Sequence, residues 1–422
     1  MGVPIDPHLL DDLEWRGLIA HSTDLDALRE AFSEGSIKFY VGFDPTAPSL
    51  HMGHLVQILT ARRLQNAGHT PYALVGGATG MIGDPKEAGE RTLNTLDTVK
   101  DWVERVRGQI EPFLSFEGPN AATMVNNYDW TASLSTIDFL RDIGKHFPVN
   151  RMLARDVVKS RLEAGISYTE FSYVLLQSMD FLNLHRDYGV TLQFGGSDQW
   201  GNLTAGVELI RRADGGKAHA IATPLMTRAD GTKYGKTEGG ALWLDPELMS
   251  PYAFYQFWLN VEDEKIGELL RVFTFLAREE IEALEAQTAE KPFLRAGQKA
   301  LAEHVTALVH GAEETERIKA ASAALFGGGD LSALSTPTLA AALREAGAIT
   351  VAPGLGIVDL LVESGLVKSK GDARRTISEG GAYLNNVRVE DPDLVPGEAD
   401  LIGGSWLVLR RGKKSFTGIE VK

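Results

Sequence analysis

Tyr40-Val-Gly-Phe-Asp-Pro-Thr-Ala-Pro-Ser-Leu-His-Met-Gly-His54 is the stretch that decides the fold. It leaves an apolar, strand-like segment and leads into a helical pattern over 55–67 that Gly68 ends. The N-terminus of a helix exposes unpaired N–H groups and the positive end of the helix dipole, so it binds phosphate readily. His51 and His54 are three residues apart and share one face of the first turn. The stretch therefore predicts a strand-to-helix crossover that could hold a nucleotide.

Two other interpretations of this turn are open. The residues could form a structural helix start with two partly exposed histidines, or the histidines could ligate a metal ion together with Asp44 or Asp84. Gly53 lies between the histidines and removes a side chain where a flat ring or a sugar could approach the backbone.

The surrounding sequence alternates short apolar runs with helical stretches from about 36 to 226. This alternation predicts a mostly parallel sheet covered by helices, a Rossmann-like α/β domain. The runs are IKFYVGF (37–43), YALVGG (72–77), ATMVNN (122–127), VTLQFGG (190–196) and AIATPLM (220–226).

Strand signals vanish after this region, and the amphipathic periodicity up to Phe326 predicts an α-helical domain. A turn-rich linker follows. The tail then predicts a small α+β module with a hairpin at Asn385-Asn386 and a later strand, WLVLRRGKKSF (406–416). The predicted boundaries are 1–226 for the Rossmann-like α/β domain with an N-terminal helical extension, 227–246 for a mobile loop and connector, 247–326 for the helical domain, 327–351 for the linker and 352–422 for the tail module.

Composition narrows the classes of function. The chain has 422 residues, a formal charge of −15 and no cysteine, which excludes disulfides, zinc–thiolate sites, iron–sulfur clusters and a thiolate nucleophile. An acidic chain argues against indiscriminate nucleic-acid binding but leaves room for a local basic patch. The N-terminus lacks the pattern of a secretory signal, and no stretch predicts a membrane-spanning helix.

Three further patterns place polar groups where ligands bind. Residues 75–84 are Val-Gly-Gly-Ala-Thr-Gly-Met-Ile-Gly-Asp, a glycine-rich turn after a strand that fails the dinucleotide spacing G-x-G-x-x-G. In the buried helix predicted over 170–184, the polar side chains Tyr173, Gln177 and Asp180 form one stripe, which predicts a polar pocket or internal pairing. Residues 193–202, from Gln193 to Asn202, form a second strand-to-helix crossover, which could instead be a cluster of helix caps.

The fifth pattern is Gly231-Thr232-Lys233-Tyr234-Gly235-Lys236-Thr237. It falls one residue short of the P-loop spacing, and no helix pattern follows it. Its two lysines could neutralise charge on a departing pyrophosphate, or the segment could be an ordinary solvated loop.

Together these ordered motifs resemble the bacterial tyrosyl-tRNA synthetases, a family of class I aminoacyl-tRNA synthetases. His51-Met52-Gly53-His54 is similar to the first class signature, and Lys233-Tyr234-Gly235-Lys236-Thr237 to the second. The resemblance covers the whole chain, because 247–326 looks like an anticodon-binding domain and 352–422 like an S4-type RNA-binding module.

The resemblance implies a role for each matching residue. Catalytic contacts to phosphate and nucleoside fall to Thr46, His51, His54, Lys233, Lys236 and Thr237. Tyrosine-binding residues are Tyr40, Asp44, Asp84, Tyr173, Gln177, Asp180 and Gln193. ATP- and adenylate-binding residues are Gly42, Gly53, Asp198, Gln199, Leu225 and Met226, and RNA-binding residues are Lys368, Lys370, Arg374 and Arg375.

The resemblance also implies the reaction and its partners. ATP with its Mg²⁺ would activate L-tyrosine to tyrosyl-adenylate, and the tyrosyl group would pass to the 3′-terminal adenosine of tRNA(Tyr). No tightly bound metal, no membrane partner, a homodimer and a cytoplasmic location are expected. The related tryptophanyl enzyme, a small-molecule nucleotidyltransferase, an inactive RNA-binding protein and a metal hydrolase are the competing hypotheses.

Three departures from the family pattern stand out. Met52 and Tyr234 replace the commoner Ile and Phe. The stretch after Asp84 is about one residue short, which leaves the roles of Lys86 and Arg91 open. Gln57 replaces a smaller residue, so the nucleotide contact there is unassigned.

Overall fold

The computed structural model describes residues 4–85, 89, 93–232, 234, 241–327, 329–331, 334–412 and 415–422. Its strands are β1 His21–Ser22, β2 Lys38–Phe43, β3 Thr70–Val75, β4 Thr123–Asn126, β5 Val190–Gly196, β6 His219–Thr223, β7 Ile349–Val351, β8 Ala382–Leu384, β9 Val387–Arg388, β10 Trp406–Arg411 and β11 Ser415–Val421.

The helices up to the second signature loop are α1 Leu9–Trp15, α2 Leu25–Glu34, α3 Met52–Asn66, α4 Thr79–Ile82, α5 Leu96–Ile110, α6 Tyr128–Thr131, α7 Thr136–Asp138, α8 Val149–Leu153, α9 Asp156–Arg161, α10 Tyr168–Tyr188 and α11 Trp200–Asp214. Those after it are α12 Pro251–Leu259, α13 Ile266–Phe273, α14 Arg278–Glu290, α15 Ala296–His310, α16 Ala312–Gly327, α17 Thr336–Glu345, α18 Ile357–Glu363 and α19 Lys370–Ser378. Within the described part of the chain, none of these helices is long and apolar enough to cross a membrane.

The chain divides into two compact units, of which the first comprises Met1–Asp245 and Glu262–Gly297. Its six-stranded sheet has the order β1-β6-β5-β2-β3-β4, and β2 to β6 run parallel while the short β1 pairs antiparallel with β6. The five predicted apolar runs are these five parallel strands, so the predicted Rossmann-like α/β domain is confirmed. The strand order reverses between β2 and β5, which opens a crevice at their carboxyl ends.

Two helices differ from their predicted bounds. The helix predicted over 55–67 begins at Met52, because the His51 side chain accepts a hydrogen bond from the Gly53 N–H and caps the helix three residues earlier. The helix predicted over 170–184 extends through α10, which Ser167 caps and Gly189 ends in a left-handed conformation.

The helical segment predicted over 247–326 is divided between the two units. Helices α13 and α14 belong to the first unit, where two arginines bind the carbonyl groups at the C-terminal end of α13. Arg16 donates to the carbonyls of Arg271, Thr274 and Leu276, and Arg63 of α3 donates to those of Arg271, Val272 and Thr274. Periodicity predicts these helices correctly but not the surface on which they pack.

The second unit comprises Pro246–Val261 and Gln298–Lys422 and contains a five-stranded sheet of order β7-β11-β10-β8-β9. Its hairpin turns at Asn385 and Asn386, whose φ angles are 49° and 66°, as predicted. The strand predicted over 406–416 is instead the antiparallel pair β10 and β11, because Gly412, with φ of 62°, reverses the chain.

The predicted linker over 327–351 is wrong in part. It contains α17, with Ser335 just before the helix and Pro337 in its first turn, and β7, which pairs in parallel with β11. Serine and proline are typical of helix starts as well as of loops, and here they begin a helix. The sheet therefore begins before the predicted boundary at residue 352.

His69 gives the first unit a dependence on pH. It is fully buried at the start of β3, stacks on Phe32 at 4.3 Å between ring centroids, and accepts a hydrogen bond from the Ile37 N–H. Burial lowers the pKa of His69 from 6.5 to about 4, so the unfolded chain binds the proton more tightly. The stabilisation is present above pH 6.5 and is lost as the pH falls towards 4.

Replacing His69 with asparagine, which keeps the acceptor without titrating, should remove this dependence. Between pH 7 and pH 5, the free energy of unfolding of the natural chain should fall by about 2 kcal/mol more than that of the variant. Chemical unfolding at the two pH values measures the difference. Parallel losses in both proteins would mean that His69 is protonated without cost.

Candidate functional site

The crevice at the carboxyl ends of β2 and β5 collects most of the predicted site residues. Gly42 lies near the end of β2, Asp44 follows that strand, and Gln193 lies in β5. The N-termini of α3 and α11 begin just beyond these strands. The tertiary fold therefore brings together four motifs that are far apart in the sequence. They are the stretch 40–54, the glycine-rich turn 75–84, the polar stripe of α10 and the crossover 193–202.

The two signature histidines lie against each other at the start of α3, with their ring planes tilted by 35°. Their ring centroids are 4.0 Å apart, and Nδ1 of each ring accepts a backbone hydrogen bond, from the Gly53 N–H to His51 and from the His51 N–H to His54. Burial lowers the pKa of His51 and lowers that of His54 well below its usual value. Both rings are therefore neutral near pH 7, with Nε2 carrying the proton that can be donated to a phosphate oxygen.

The metal interpretation of these histidines receives no support. Among the residues that the structure describes, no group of three or more His, Asp or Glu side chains could hold a metal ion. Asp44 and Asp84 are both engaged by polar neighbours instead. Asp44 accepts hydrogen bonds from the Thr79 hydroxyl and from the Tyr173 phenol, each at 2.6 Å.

A chain of hydrogen bonds links Asp44 to Asp180. Asn127, which is fully buried, donates to Thr79 Oγ1 and to Asp180 Oδ2, both at 2.9 Å. Trp130 Nε1 donates to the other oxygen of Asp180 at 2.8 Å. The line therefore runs from Tyr173 through Asp44, Thr79 and Asn127 to Asp180.

Sequence reasoning missed Asn127, Trp130 and Thr79. The available signal was the pair Asn126-Asn127 at the end of a predicted strand, where polar side chains face a ligand crevice. Asn126 also contributes, because its Oδ1 accepts hydrogen bonds from the N–H groups of Gly77 and Tyr128.

Burial controls the electrostatics of this chain of hydrogen bonds. Desolvation raises the pKa of Asp180 to about 7, although the hydrogen bonds from Asn127 and Trp130 oppose the shift. Burial also raises the pKa of Tyr40 and of Tyr173 well above 10, and nearby carboxylates add to both shifts. The two phenols therefore stay protonated and can donate hydrogen bonds.

Three buried polar atoms of the pocket have no hydrogen-bond partner among the described residues. They are Tyr40 Oη, Gln177 Oε1 and Gln193 Oε1. A buried neutral group without a partner costs about 1–3 kcal/mol. Buried polar atoms without a partner are typical of a site that binds a polar ligand.

A second network surrounds Asp84. Gln199 Nε2 donates to Asp84 Oδ2 at 2.8 Å, and Asn202 Nδ2 donates to Asp84 Oδ1 at 3.1 Å and to Gln199 Oε1 at 2.7 Å. Arg155 in turn donates to Asn202 Oδ1. Neither Arg155 nor the bridging role of Asn202 follows from the sequence pattern.

The glycine-rich turn after β3 lets the backbone lie close to the side chains of Asp44 and Asn126. A Cβ at Gly76 would lie 2.1 Å from Asp44 Oδ1, and one at Gly77 would lie 2.4 Å from Asn126 Oδ1. The side chains of Asp44 and Asn126 therefore fill the space that the missing Cβ atoms leave.

Other predicted residues lie around the crevice. Asp198 is exposed in the turn before α11, Met226 is buried, and the Thr46 N–H donates to the Asp44 carbonyl. Gln57, whose role the sequence left open, donates to Thr223 Oγ1 at 2.6 Å. Lys86, Arg91, Lys233, Gly235, Lys236 and Thr237 lie outside the described residues.

The predicted RNA-binding cations lie in the second unit, and three of them form ion pairs. Lys370 pairs with Asp359 at 2.6 Å, Arg374 with Asp393 at 3.5 Å and Arg375 with Asp372 at 2.8 Å. Lys368, just before α19, is exposed. Exposed pairs of this kind contribute little stability, so the cations can exchange partners.

Comparison with known proteins identifies the family. Residues 33–327 match the family model of the class I tRNA synthetases (W and Y), and residues 340–419 match that of the tyrosine–tRNA ligase SYY-like C-terminal domain. The chain belongs to this class I tRNA synthetase family.

Full-length relatives refine the assignment. The tyrosine–tRNA ligase of Streptomyces coelicolor is 64% identical over 98% of this chain and 99% of its own length, and that of Mycobacterium tuberculosis is 57% identical over 98% of each. Within the family, the chain therefore falls among the tyrosine–tRNA ligases, and the resemblance drawn from the motifs is confirmed.

Solved structures agree. A C-terminally truncated mitochondrial tyrosyl-tRNA synthetase from Aspergillus nidulans superposes with a TM-score of 0.68 at 30% identity, covering 75% of this chain and 94% of that chain. The counterpart from Coccidioides posadasii, also C-terminally truncated, superposes with a TM-score of 0.65 at 31% identity, covering 74% of this chain and 90% of that chain.

Proposed function

We propose that this chain activates L-tyrosine with ATP and transfers the tyrosyl group to tRNA(Tyr), and that the crevice described above is its active site. The observation that carries the assignment is the buried phenol of Tyr40 without a partner among the described residues, whose pKa is raised by burial and, to a smaller degree, by the charge of Asp180. A substrate phenol can accept from Tyr40 and donate to Asp180 at the same time. Phenylalanine can do neither.

The amino acid's ammonium group is proposed to lie between Asp84 and the polar stripe of α10. Gln177 Oε1 and Gln193 Oε1 are buried acceptors without a partner among the described residues, and an ammonium group offers three donors. Tyr173 would complete this part of the site through its phenol oxygen, which can accept a hydrogen bond while its proton is donated to Asp44.

ATP is proposed to bind with its phosphates at the N-terminus of α3. Thr46 and the neutral Nε2–H groups of His51 and His54 would donate to phosphate oxygens, beside the N–H groups of the first turn. Gly42, Gly53, Asp198, Gln199, Leu225 and Met226 would surround the nucleoside and the adenylate. Mg²⁺ would arrive with ATP as part of the substrate.

The first chemical step needs no general base, because the carboxylate of tyrosine is already a competent nucleophile. It attacks the α-phosphorus, and the bond to the pyrophosphate leaving group breaks. The protein contributes position and charge stabilisation. Lys233, Lys236 and Thr237 are proposed to stabilise the departing pyrophosphate. The adenosine hydroxyl of the tRNA then attacks the tyrosyl carbonyl and releases AMP.

The RNA partner is proposed to contact both units. In the second unit, Lys368, Lys370, Arg374 and Arg375 lie on or next to α19 and would meet phosphates in an S4-like manner. The helical segment 247–326 would serve anticodon recognition. A cytoplasmic location is part of the same proposal.

The homodimer is proposed to form through an apolar surface of the first unit. Six large hydrophobic side chains between α7 and the start of α10 are exposed, at fractions of 38% to 69%. They fall within one stretch of the chain, and a contiguous patch of exposed apolar residues is typical of protein interfaces. They are Ile137, Leu140, Val149, Leu153, Leu162 and Tyr168.

Pyrophosphate exchange tests the proposed function directly. The chain should incorporate labelled pyrophosphate into ATP when tyrosine is present, and not when tryptophan or phenylalanine replaces it. Exchange with tryptophan would mean that the fold assignment holds but that the substrate is tryptophan. Failure to exchange with any of the three amino acids would contradict the proposal.

Replacing Tyr40 with phenylalanine should separate stability from function. The variant no longer buries an unpaired hydroxyl, so its free energy of unfolding should stay equal or rise by up to about 2 kcal/mol. It also loses one hydrogen bond to the substrate, so kcat/KM for tyrosine should fall by about three- to tenfold.

Thermal unfolding and exchange kinetics on the same preparation check both parts of the Tyr40 prediction. A less stable variant with natural kinetics would place the missing partner of Tyr40 inside the protein and not on the substrate.

A further inference from the structure

Arg155 lies in the turn between α8 and α9, and its partly buried guanidinium reaches the first turn of α11. There Nη2 donates to Asn202 Oδ1. A Cβ at Gly201 would lie 3.0 Å from Nη2 and 3.2 Å from Nε. A side chain at Gly201 would therefore crowd the guanidinium, so glycine at this position favours the contact.

Asn202 connects Arg155 to the proposed ligand site. Its side chain is only 3% exposed, and its amide nitrogen donates both to Asp84 Oδ1 and to Gln199 Oε1. A guanidinium has donors and no acceptor. Arg155 therefore fixes the amide with its oxygen outward and its NH₂ group towards Asp84.

We propose that Arg155 is a positioning residue for recognition of the substrate's ammonium group, acting through Asn202 on Asp84. The inference rests on the proposed function, in which Asp84 binds that ammonium. Without Arg155, the Asn202 amide loses the donor that holds its oxygen and can move away from Asp84. The Asp84 carboxylate then loses a hydrogen bond that keeps it in the geometry that the ammonium requires.

The electrostatics agree with this geometry. Burial lowers the pKa of Arg155, and the negative charge of Asp84 partly restores it. The guanidinium and the carboxylate therefore interact across Asn202, which holds them apart by one amide group. Loss of the arginine would remove both the group that fixes the amide and a positive charge that interacts with this carboxylate.

The experiment compares Arg155→Met and Arg155→Lys with the control Arg151→Met. Arg151 lies four residues away, is 68% exposed and forms a 3.8 Å ion pair with Glu208. Exchange kinetics give KM for tyrosine and for ATP. Binding of two tyrosine analogues completes the set: tyrosinol, which keeps the ammonium, and 3-(4-hydroxyphenyl)propionate, which lacks it.

Arg155→Met should raise KM for tyrosine by about tenfold and weaken the binding of tyrosinol to the same degree. The reason is that the hydrogen bond between the ammonium group and the Asp84 carboxylate is lost. Binding of the desamino analogue and the behaviour of Arg151→Met should not change, and KM for ATP should rise by much less than KM for tyrosine. Arg155→Lys keeps a donor and should recover part of the loss. Equal weakening of both analogues, or a parallel rise in KM for ATP, would overturn the proposal.

A double variant guards against a folding defect. Asn202→Leu removes the same link at its centre, so adding Arg155→Met to it should cause little further loss. Losses that multiply would show that the two residues act independently and would overturn the proposal. Exchange by the natural chain, measured first, tests the proposed function separately, because it does not depend on Arg155 variants.

Discussion

Replacing Asp180 with alanine is expected to collapse the preference for tyrosine over phenylalanine. The carboxylate is the acceptor in the proposed pocket for the substrate hydroxyl, and it also holds Asn127 and Trp130 in place. Loss of this hydrogen bond should lower the tyrosine-to-phenylalanine ratio of kcat/KM by about 10- to 100-fold. A tyrosyl-tRNA synthetase is itself the reference for rejection of phenylalanine by about 10⁵, and we take that value as the scale.

The measurement is kcat/KM for each amino acid by pyrophosphate exchange. Asp187→Ala is the matched control, because Asp187 lies on the same helix, α10, is exposed, and its loss removes a carboxyl group outside the proposed pocket. The control should keep the natural ratio. An unaltered ratio in Asp180→Ala would remove this residue from the specificity pocket, and circular dichroism establishes that each variant is folded before its ratio is interpreted.

Replacing Gly76 with alanine should damage both folding and activity. The new Cβ would lie 2.1 Å from Asp44 Oδ1 and 2.2 Å from Thr79 Oγ1, so the 2.6 Å hydrogen bond between those side chains cannot persist. The expected loss is roughly 2–4 kcal/mol in the free energy of unfolding. Displacement of Asp44 should lower kcat/KM for tyrosine by about 10².

Gly108→Ala is the control for the Gly76 variant. Gly108 lies on the exposed face of α5, and a Cβ there would meet no atom within 4 Å beyond the backbone of its own helix. Alanine favours a helix over glycine by about 1 kcal/mol, so this variant should be slightly more stable and fully active. Chemical unfolding and exchange kinetics measure both variants. Natural kinetics in Gly76→Ala would mean that the turn can move away from Asp44 without cost.

The sequence predicted the parallel strands and the ordered motifs, because each depends on local pattern. Apolar runs alternate with helical periods, and both signature histidines lie within one turn of each other. The helical segment after residue 247 shows the limit. Periodicity identified its helices, yet Arg16 contacts the carbonyl of Arg271 across 255 positions in the chain, and no local pattern contains that contact.

The site residues show the same division. Tyr40, Asp84, Asp180 and the histidines could be proposed from the ordered motifs and their resemblance to the family, whereas Asn127 and Arg155 could not. Arg155 acts on Asn202 across 47 positions, and Asn202 acts on Asp84 across 118. Residues that work through a neighbour carry no motif of their own.

The sequence by itself determined the α/β class, the family and the types of chemical group in the site. Only the tertiary structure decided how those groups are charged and paired. Burial raises the pKa of Asp180 and keeps both signature histidines neutral, and it leaves the Tyr40 hydroxyl without a partner among the described residues. These properties arise from desolvation and from contacts between distant segments, which exist only once the chain has folded.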